Sequence, residues 1–267
     1  MVLEHLTHDQ VARLFTTGAL VFLGLLQILA PSCFWGMSAY FKGARAAFSP
    51  DQRERLARVL AERESAEGNT SAYLRVVGIL TILLAPSALI PAIPFVLPYS
   101  LSCIAMAAAI LLSYLRFQRA TQRRVAPLVR RNVWASLSPL GLAATGVCLA
   151  GACAFAAYPQ FRFGVAVVVV AVVVLLAVAW RVATAPAILF GNDSQLEYLV
   201  DEHIRFSRAT NLLALACAPP TVLVALAWAT LPWSAHFFNA VMFAVMTAFA
   251  VVMVVSFNPM RKRLRLA

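Results

Sequence analysis

The sequence predicts an all-α, polytopic membrane protein with seven transmembrane helices, its N-terminus outside and its C-terminus inside. Three observations predict it. Of 267 residues, 62% are hydrophobic and only 12% charged, where a soluble domain carries roughly a quarter charged residues. Residues 14–41, 76–115, 132–161, 163–180 and 209–260 contain no Asp, Glu, Lys or Arg. The basic residues, finally, divide very unequally between alternate gaps. A formal charge of +11 would otherwise suggest nucleic acid, but apolar stretches of this length do not fit a soluble fold, and no nucleic-acid partner is expected.

A membrane-spanning helix needs about 20 mainly apolar residues. The first interval holds one span, at about 14–38. The second is 40 residues long and is interrupted by Pro91, Pro94 and Pro98, so it reads as two helices, 75–93 and 98–117, joined by a tight turn. The next two intervals give one span each, 136–157 and 163–184. The last is 52 residues long with Leu231-Pro232-Trp233-Ser234 near its middle, which makes it a hairpin of helices 209–230 and 236–257. Only helices and closed barrels satisfy every backbone group in lipid, and the unbroken apolar run Val165 to Ala179 lacks a barrel strand's alternation.

Between the first two spans the sequence marks a short amphipathic cytoplasmic helix. Ser49 is placed to cap it, Pro50 suits the first helical position and Gln52 completes a capping-box pattern. Leu56, Val59 and Leu60 form an apolar stripe, Glu54–Arg58 and Arg58–Glu62 are spaced for ion pairing, and Gly68 is a stop. This helix is expected to anchor on the membrane surface or on a partner.

Orientation follows from the basic residues. With the N-terminus outside, the cytoplasmic pieces 41–75, 116–131, 181–208 and the tail from Arg261 hold 7, 6, 3 and 4 Lys+Arg, whereas the outer pieces hold only Arg13 and Arg162. Met1 to Gln10 has Glu4 and Asp9 and no basic residue, so a cleaved secretory signal is not expected. Arginine outnumbers lysine 20 to 2, and Ala and Val are abundant. That composition suggests a bacterial plasma (inner) membrane protein whose cytoplasmic face attracts anionic lipids of the bilayer.

An internal repeat is also legible. Arg75, Leu80, Ala85 and Pro86 align with Arg208, Leu213, Ala218 and Pro219, and Leu97-Pro98-Tyr99-Ser100 aligns with Leu231-Pro232-Trp233-Ser234 after a one-residue slip. The reading is a single transmembrane domain over 1–267, with repeat 1 at about 14–117, a linker helix at about 136–157 and repeat 2 at about 163–257. This parallel 3+1+3 plan resembles that of the sugar facilitators called SWEETs, in plan only. Their Pro-Gln signature lies within a helix, whereas Pro159-Gln160 is expected here in an outer loop. Pro86 and the pair Pro219-Pro220 are expected to break helices 2 and 6 at equivalent depths, a pointer to a central site.

Much chemistry is demoted by what the spans lack. Retinal attachment needs a lysine within a helix, and Lys42 and Lys262 both lie at the cytoplasmic boundary. None of His5, His8, His203 and His236 lies deep in a span, which removes a bis-histidine haem. Ser38 and His236 fall on opposite faces of a core about 30 Å thick, too far apart for a nucleophile and base. Cys33, Cys103, Cys148, Cys153 and Cys217 show no Cys-x-x-Cys spacing and read as small packing residues. The segment Gly141 to Ala157 is rich in Gly and Ala, which places helix 4 at the bundle centre or at an oligomer contact. The acidic stretch Asn192 to His203 reads as a solvated, capped helix rather than a metal site.

Neutral polarity remains in the spans: Gln27, Ser32, Thr81, Ser87, Thr145, Asn211 and Asn239. The leading expectation is a non-catalytic accessory or scaffolding subunit of a membrane assembly, with a protein partner or as a homo-oligomer. The alternative is an uncoupled facilitator or carrier for a small neutral solute, its cavity lined by Pro86, Pro219, Asn211 and Asn239. Third comes a lipid-modifying enzyme at the cytoplasmic face, using the Asp193 to His203 cluster. No cofactor is evident, although apolar contacts alone would serve a lipid, quinone or pigment.

Overall fold

The computed structural model describes residues 8–29, 50–67, 70–94, 96–121, 133–185, 194–230 and 236–257. Among these no strand occurs. The helices are α1 (His8–Leu29), α2 (Pro50–Glu67), α3 (Thr70–Leu84), α4 (Val96–Thr121), α5 (Pro139–Cys153), α6 (Pro159–Thr184), α7 (Ser194–Thr230) and α8 (His236–Phe257), with a one-turn helix at Val133–Ser136. Ser49, Asn192 and Asp193 lie outside the described residues.

Five helical stretches are long and apolar enough to cross a membrane: Ala72–Leu89, Val96–Ser113, Pro139–Ala157, Pro159–Thr184 and Val200–Trp228. The apolar parts of α1 and α8, Arg13–Leu29 and Asn239–Val252, are shorter. Five of the seven expected spans therefore coincide with helices of membrane-crossing length; the other two fall on the shorter apolar helices, and residues 30–38 of the first lie outside the described residues.

Proline and serine set the boundaries. Pro86 has no N–H to give the i−4 carbonyl, so α3 ends at Leu84 and the chain tightens into a 3₁₀ turn over Ala85–Leu89. The Ser87 hydroxyl donates to the Leu84 carbonyl at 2.6 Å. Ser138 caps α5 by accepting from the Gly141 amide at 3.1 Å, and Pro139 takes the first turn, where a missing N–H costs nothing. Pro159 begins α6 in the same way after extended Tyr158. Pro159-Gln160 therefore opens a helix rather than lying in an outer loop.

The hub of the bundle is α7. It packs against α1, α4, α5, α6 and α8, and 67% of its Val200–Trp228 stretch is buried, against 33% to 56% for the other four. Of the two places expected for the 136–157 helix, the bundle centre and an oligomer contact, the first is corrected: α5 sits on a flank between α7 and α8. Two of its three glycines, Gly141 and Gly151, serve that seam. A Cβ at Gly151 would lie 2.5 Å from Val245 Cγ2 of α8, whereas one at Gly146 meets nothing. The closest backbone approach joins α1 to α3, where a Cβ on Gly24 would lie 2.7 Å from the Gly78 carbonyl oxygen.

Two apolar layers fill the interior. One, near the turns at Ile90–Pro94 and Tyr158, is built from Ala88, Phe155, Val168, Leu223 and Val245. The other, toward the opposite end, contains Leu74, Met106, Leu175, Val182 and Leu212. The α2 stripe is also inward: Leu56, Val59 and Leu60 are buried, with α4 the neighbouring helix. Its apolar face is thus spent on the protein itself rather than on a bilayer surface.

Candidate functional site: the polar seams of the bundle

The only densely charged buried cluster among the described residues lies at the start of α7. Glu197, Asp201, Arg205 and Arg208 share one helix face at spacings of four, four and three, and they are 1%, 0%, 1% and 5% exposed. This corrects the expectation of a solvated, separate helix. The acidic stretch is the first part of a continuous 37-residue helix, and its inward face is covered.

Asp201 and Arg205 form a buried ion pair through Oδ2 and Nη2. Arg205 also donates from Nη1 to the Ala185 carbonyl at 2.7 Å, so it fastens the C-terminal end of α6 to α7. Two ions removed from water repay their desolvation only with such supplementary bonds. About 20 residues cross the hydrocarbon core, and counted back from Thr230 they end near Thr210. Arg205 and Asp201 precede that point by five and nine residues, so the pair lies at the N-terminal end of the Val200–Trp228 stretch rather than near its middle, and a buried charge costs most at a bilayer's midplane.

At the other end, Arg13 of α1 holds the proline-rich turn after α3. Its Nη1 donates to the carbonyls of Ala88, Ile90 and Ile93 at 3.1, 2.9 and 3.0 Å, and Nη2 to that of Pro91 at 3.3 Å. Pro91 and Pro94 supply no N–H, so this turn presents more acceptors than donors. A planar guanidinium with five donors corrects that imbalance. Arg162 acts alike on a smaller scale, its Nε donating to the Ala156 carbonyl at 3.3 Å.

Inside the spans, neutral polar groups pair across helix seams. Thr81 of α3 meets Ser102 of α4 at 2.7 Å between hydroxyls. Thr145 of α5 lies 3.4 Å from the Cys217 sulfur of α7. Trp228 Nε1 donates to Asn239 Oδ1 at 2.8 Å, joining α7 to α8. Gln27 differs: it is fully buried in α1 with neither amide atom hydrogen-bonded, and its Cβ lies beside Gly78.

The four residues expected to line a cavity occupy different places. Pro86 is exposed in the 3₁₀ turn, which packs chiefly against α1. Pro219 is buried within unbroken α7. Asn239, exposed at the start of α8, is tied to Trp228, and Asn211 stands 17 positions before Trp228, about 25 Å along the helix at 1.5 Å per residue. No one small solute reaches both asparagines at once, and the two prolines do not share a local structure.

Arg13, the Asp201–Arg205 pair and the Thr145–Cys217 contact were not anticipated as working groups. Each left a trace in the sequence: an arginine at the start of an apolar helix and, elsewhere, a turn with two prolines, opposite charges four apart leading into an apolar helix, and Thr-x-x-Cys against Cys-x-x-x-Thr. No protein-family model matches the chain, and no curated protein or solved structure matches it.

Proposed function

We propose that the chain is a non-catalytic integral membrane subunit, a helical scaffold within a larger assembly or a homo-oligomer. The observation that carries this reading is the pairing of span polar groups with one another: Thr81 with Ser102, Thr145 with Cys217, and Trp228 with Asn239. Polar groups used this way join helices. In the same reading the chain crosses a bacterial plasma membrane seven times, N-terminus outside, with anionic lipids at the basic face. Large exposed apolar residues such as Phe15, Phe22, Phe163, Val173 and Phe243 supply the surface that lipid or a neighbouring subunit covers. The test is purification from native membranes in mild detergent followed by native mass spectrometry. A fixed stoichiometric partner or a defined homo-oligomer is the expected result, and a stable monomer without partners contradicts it.

The second reading, an uncoupled facilitator for a small neutral solute, is favoured by Gln27. A buried amide without partners costs roughly 1–3 kcal/mol, a cost a transiently bound neutral solute offsets by hydrogen bonding. The parallel duplication belongs to this reading, and what supports it is packing order: α1 lies on α3 and α3 on α4, as α6 lies on α7 and α7 on α8. Reconstituted protein without flux of small neutral solutes removes it, and flux that survives Gln27→Leu removes Gln27 from the path.

A further inference from the structure

Two thiols that the sequence assigns to separate spans meet in the interior. Cys148 of α5 and Cys217 of α7 are fully buried free cysteines that each face a threonine on the other's helix, one turn from the other's sulfur. Thr145 lies one turn before Cys148, and Thr221 one turn after Cys217. Thr145 Oγ1 is 3.4 Å from the Cys217 sulfur, and Thr221 Oγ1 is 4.0 Å from the Cys148 sulfur. Each hydroxyl also donates within its own helix, Thr145 to the Gly141 carbonyl at 2.9 Å and Thr221 to that of Cys217 at 2.8 Å. The Thr221 hydroxyl thus divides its proton between the Cys217 carbonyl and the Cys148 sulfur, and Thr145 and Cys217 face each other with either able to donate. Cys148 donates in turn to the Val245 carbonyl of α8 at 3.8 Å. A cysteine acting only as a small apolar residue needs none of these partners.

We propose that Cys148 and Cys217 form a reversible redox site, oxidised by a small neutral peroxide to a disulfide that ties α5 to α7 within the bilayer. One thiol gives up its proton and attacks a peroxide oxygen. The O–O bond breaks, leaving a sulfenic acid and one water. The second sulfur then displaces the sulfenic hydroxyl, forming the S–S bond and releasing a second water. Two S–H bonds and one O–O bond are lost, two electrons pass from sulfur to peroxide oxygen, and both thiol protons end in water.

Charge favours this outcome over a soft metal. A monovalent cation held by two thiolates leaves a net negative charge in an apolar interior, whereas dithiol and disulfide are both neutral. Burial selects the oxidant, since both sulfurs are fully buried and a charged molecule would be desolvated to reach them. The crosslink falls two residues before Pro219-Pro220 and would hold α7 immediately before its hydrogen-bond gap.

The test uses the full chain in native membranes. After exposure to hydrogen peroxide the protein is denatured, its free thiols are alkylated, and labels are counted by intact mass. The five cysteines are expected to give five labels before oxidation and three after it, with dithiothreitol restoring five. Cys148→Ser and Cys217→Ser should each keep all four remaining labels. Tandem mass spectrometry of the wild-type digest reads the Cys148–Cys217 crosslink directly, so the answer does not depend on the variants folding. Five labels retained after peroxide, label loss without that crosslinked peptide, or a crosslink joining other cysteines overturns the proposal.

Discussion

Arg205 illustrates how a single residue's role depends on what surrounds it. On the page it is one of three basic residues in a loop-like stretch; in the fold it is 1% exposed, paired with Asp201 and bonded to the Ala185 carbonyl. Removing one member of such a pair leaves the other charge buried and alone. Arg205→Met should therefore destabilise the protein by about 3–5 kcal/mol, while Asp201→Leu combined with Arg205→Met should recover most of that loss. Unfolding in SDS titrations checks this, and equal losses in the single and double variants would contradict it. Arg13 makes a milder case because its turn is half open to solvent. Arg13→Leu should cost about 1–2 kcal/mol and should speed protease cleavage or hydrogen exchange at residues 88–94, with Arg13→Lys intermediate, since an ammonium lacks the planar fork. A uniform change in exchange along the whole chain would argue against a local clamp. Neither role was legible beforehand. Sequence reading shows that an arginine lies near a boundary, but the carbonyls it satisfies are chosen by the path of another helix.

At the scale of the element, legibility was much better, for a physical reason. Whether a segment crosses lipid depends on its own length and polarity, so the spans could be located without knowing any neighbour; α8 runs His236–Phe257, the range the sequence indicates. Boundaries drifted where a helix continues past the lipid. α7 starts at Ser194 rather than near 209, because nothing between Ser194 and Arg208 breaks a helix, and its charge made the stretch read as a solvated helix apart from the span. Glycine meaning was likewise hidden. Gly24 and Gly151 lie at crossings where a Cβ would sit under 3 Å from a neighbour, while Gly18 and Gly146 face open space. Gly24→Ala should force α1 and α3 apart, because the opposing atom is the Gly78 carbonyl oxygen and cannot rotate away. Gly146→Ala should stabilise by up to about 1 kcal/mol through helix propensity. Thermal inactivation of the two variants in one detergent tests the contrast, and similar shifts of the same sign would refute the close-packing account.

For the whole molecule, the arrangement of helices is a many-body outcome, and the sequence was least informative there. The Gly- and Ala-rich 136–157 segment looked central, yet α7 is the hub, because it alone among the described helices is contacted on nearly every side. Paired prolines suggested matched hinges, yet Pro86 ends a helix at its exposed tip and Pro219 lies buried inside one. What connects these scales is the path of α1 and α8, the two shorter apolar helices. Arg13 reaches the turn beyond α3, and Gly24, further along α1, meets Gly78, so α1 lies antiparallel along α3 for about 16 Å of rise. Asn239 meets Trp228, and the Val245 carbonyl meets Cys148, so α8 descends beside α5 and α7 in the same fashion. Helices packed lengthwise on membrane-crossing neighbours share their depth. If both cross, the tail from Arg261 lies inside; if only the five long helices cross, that tail lies outside with its 4 Lys+Arg, and the N-terminus lies inside. The basic asymmetry of 20 against 2 favours the first arrangement. A fluorescent protein fused after Ala267 should therefore light up in the cytoplasm, and alkaline phosphatase at the same point should remain inactive. The reverse pattern would return the molecule to five crossings and move Arg13 to the cytoplasmic face.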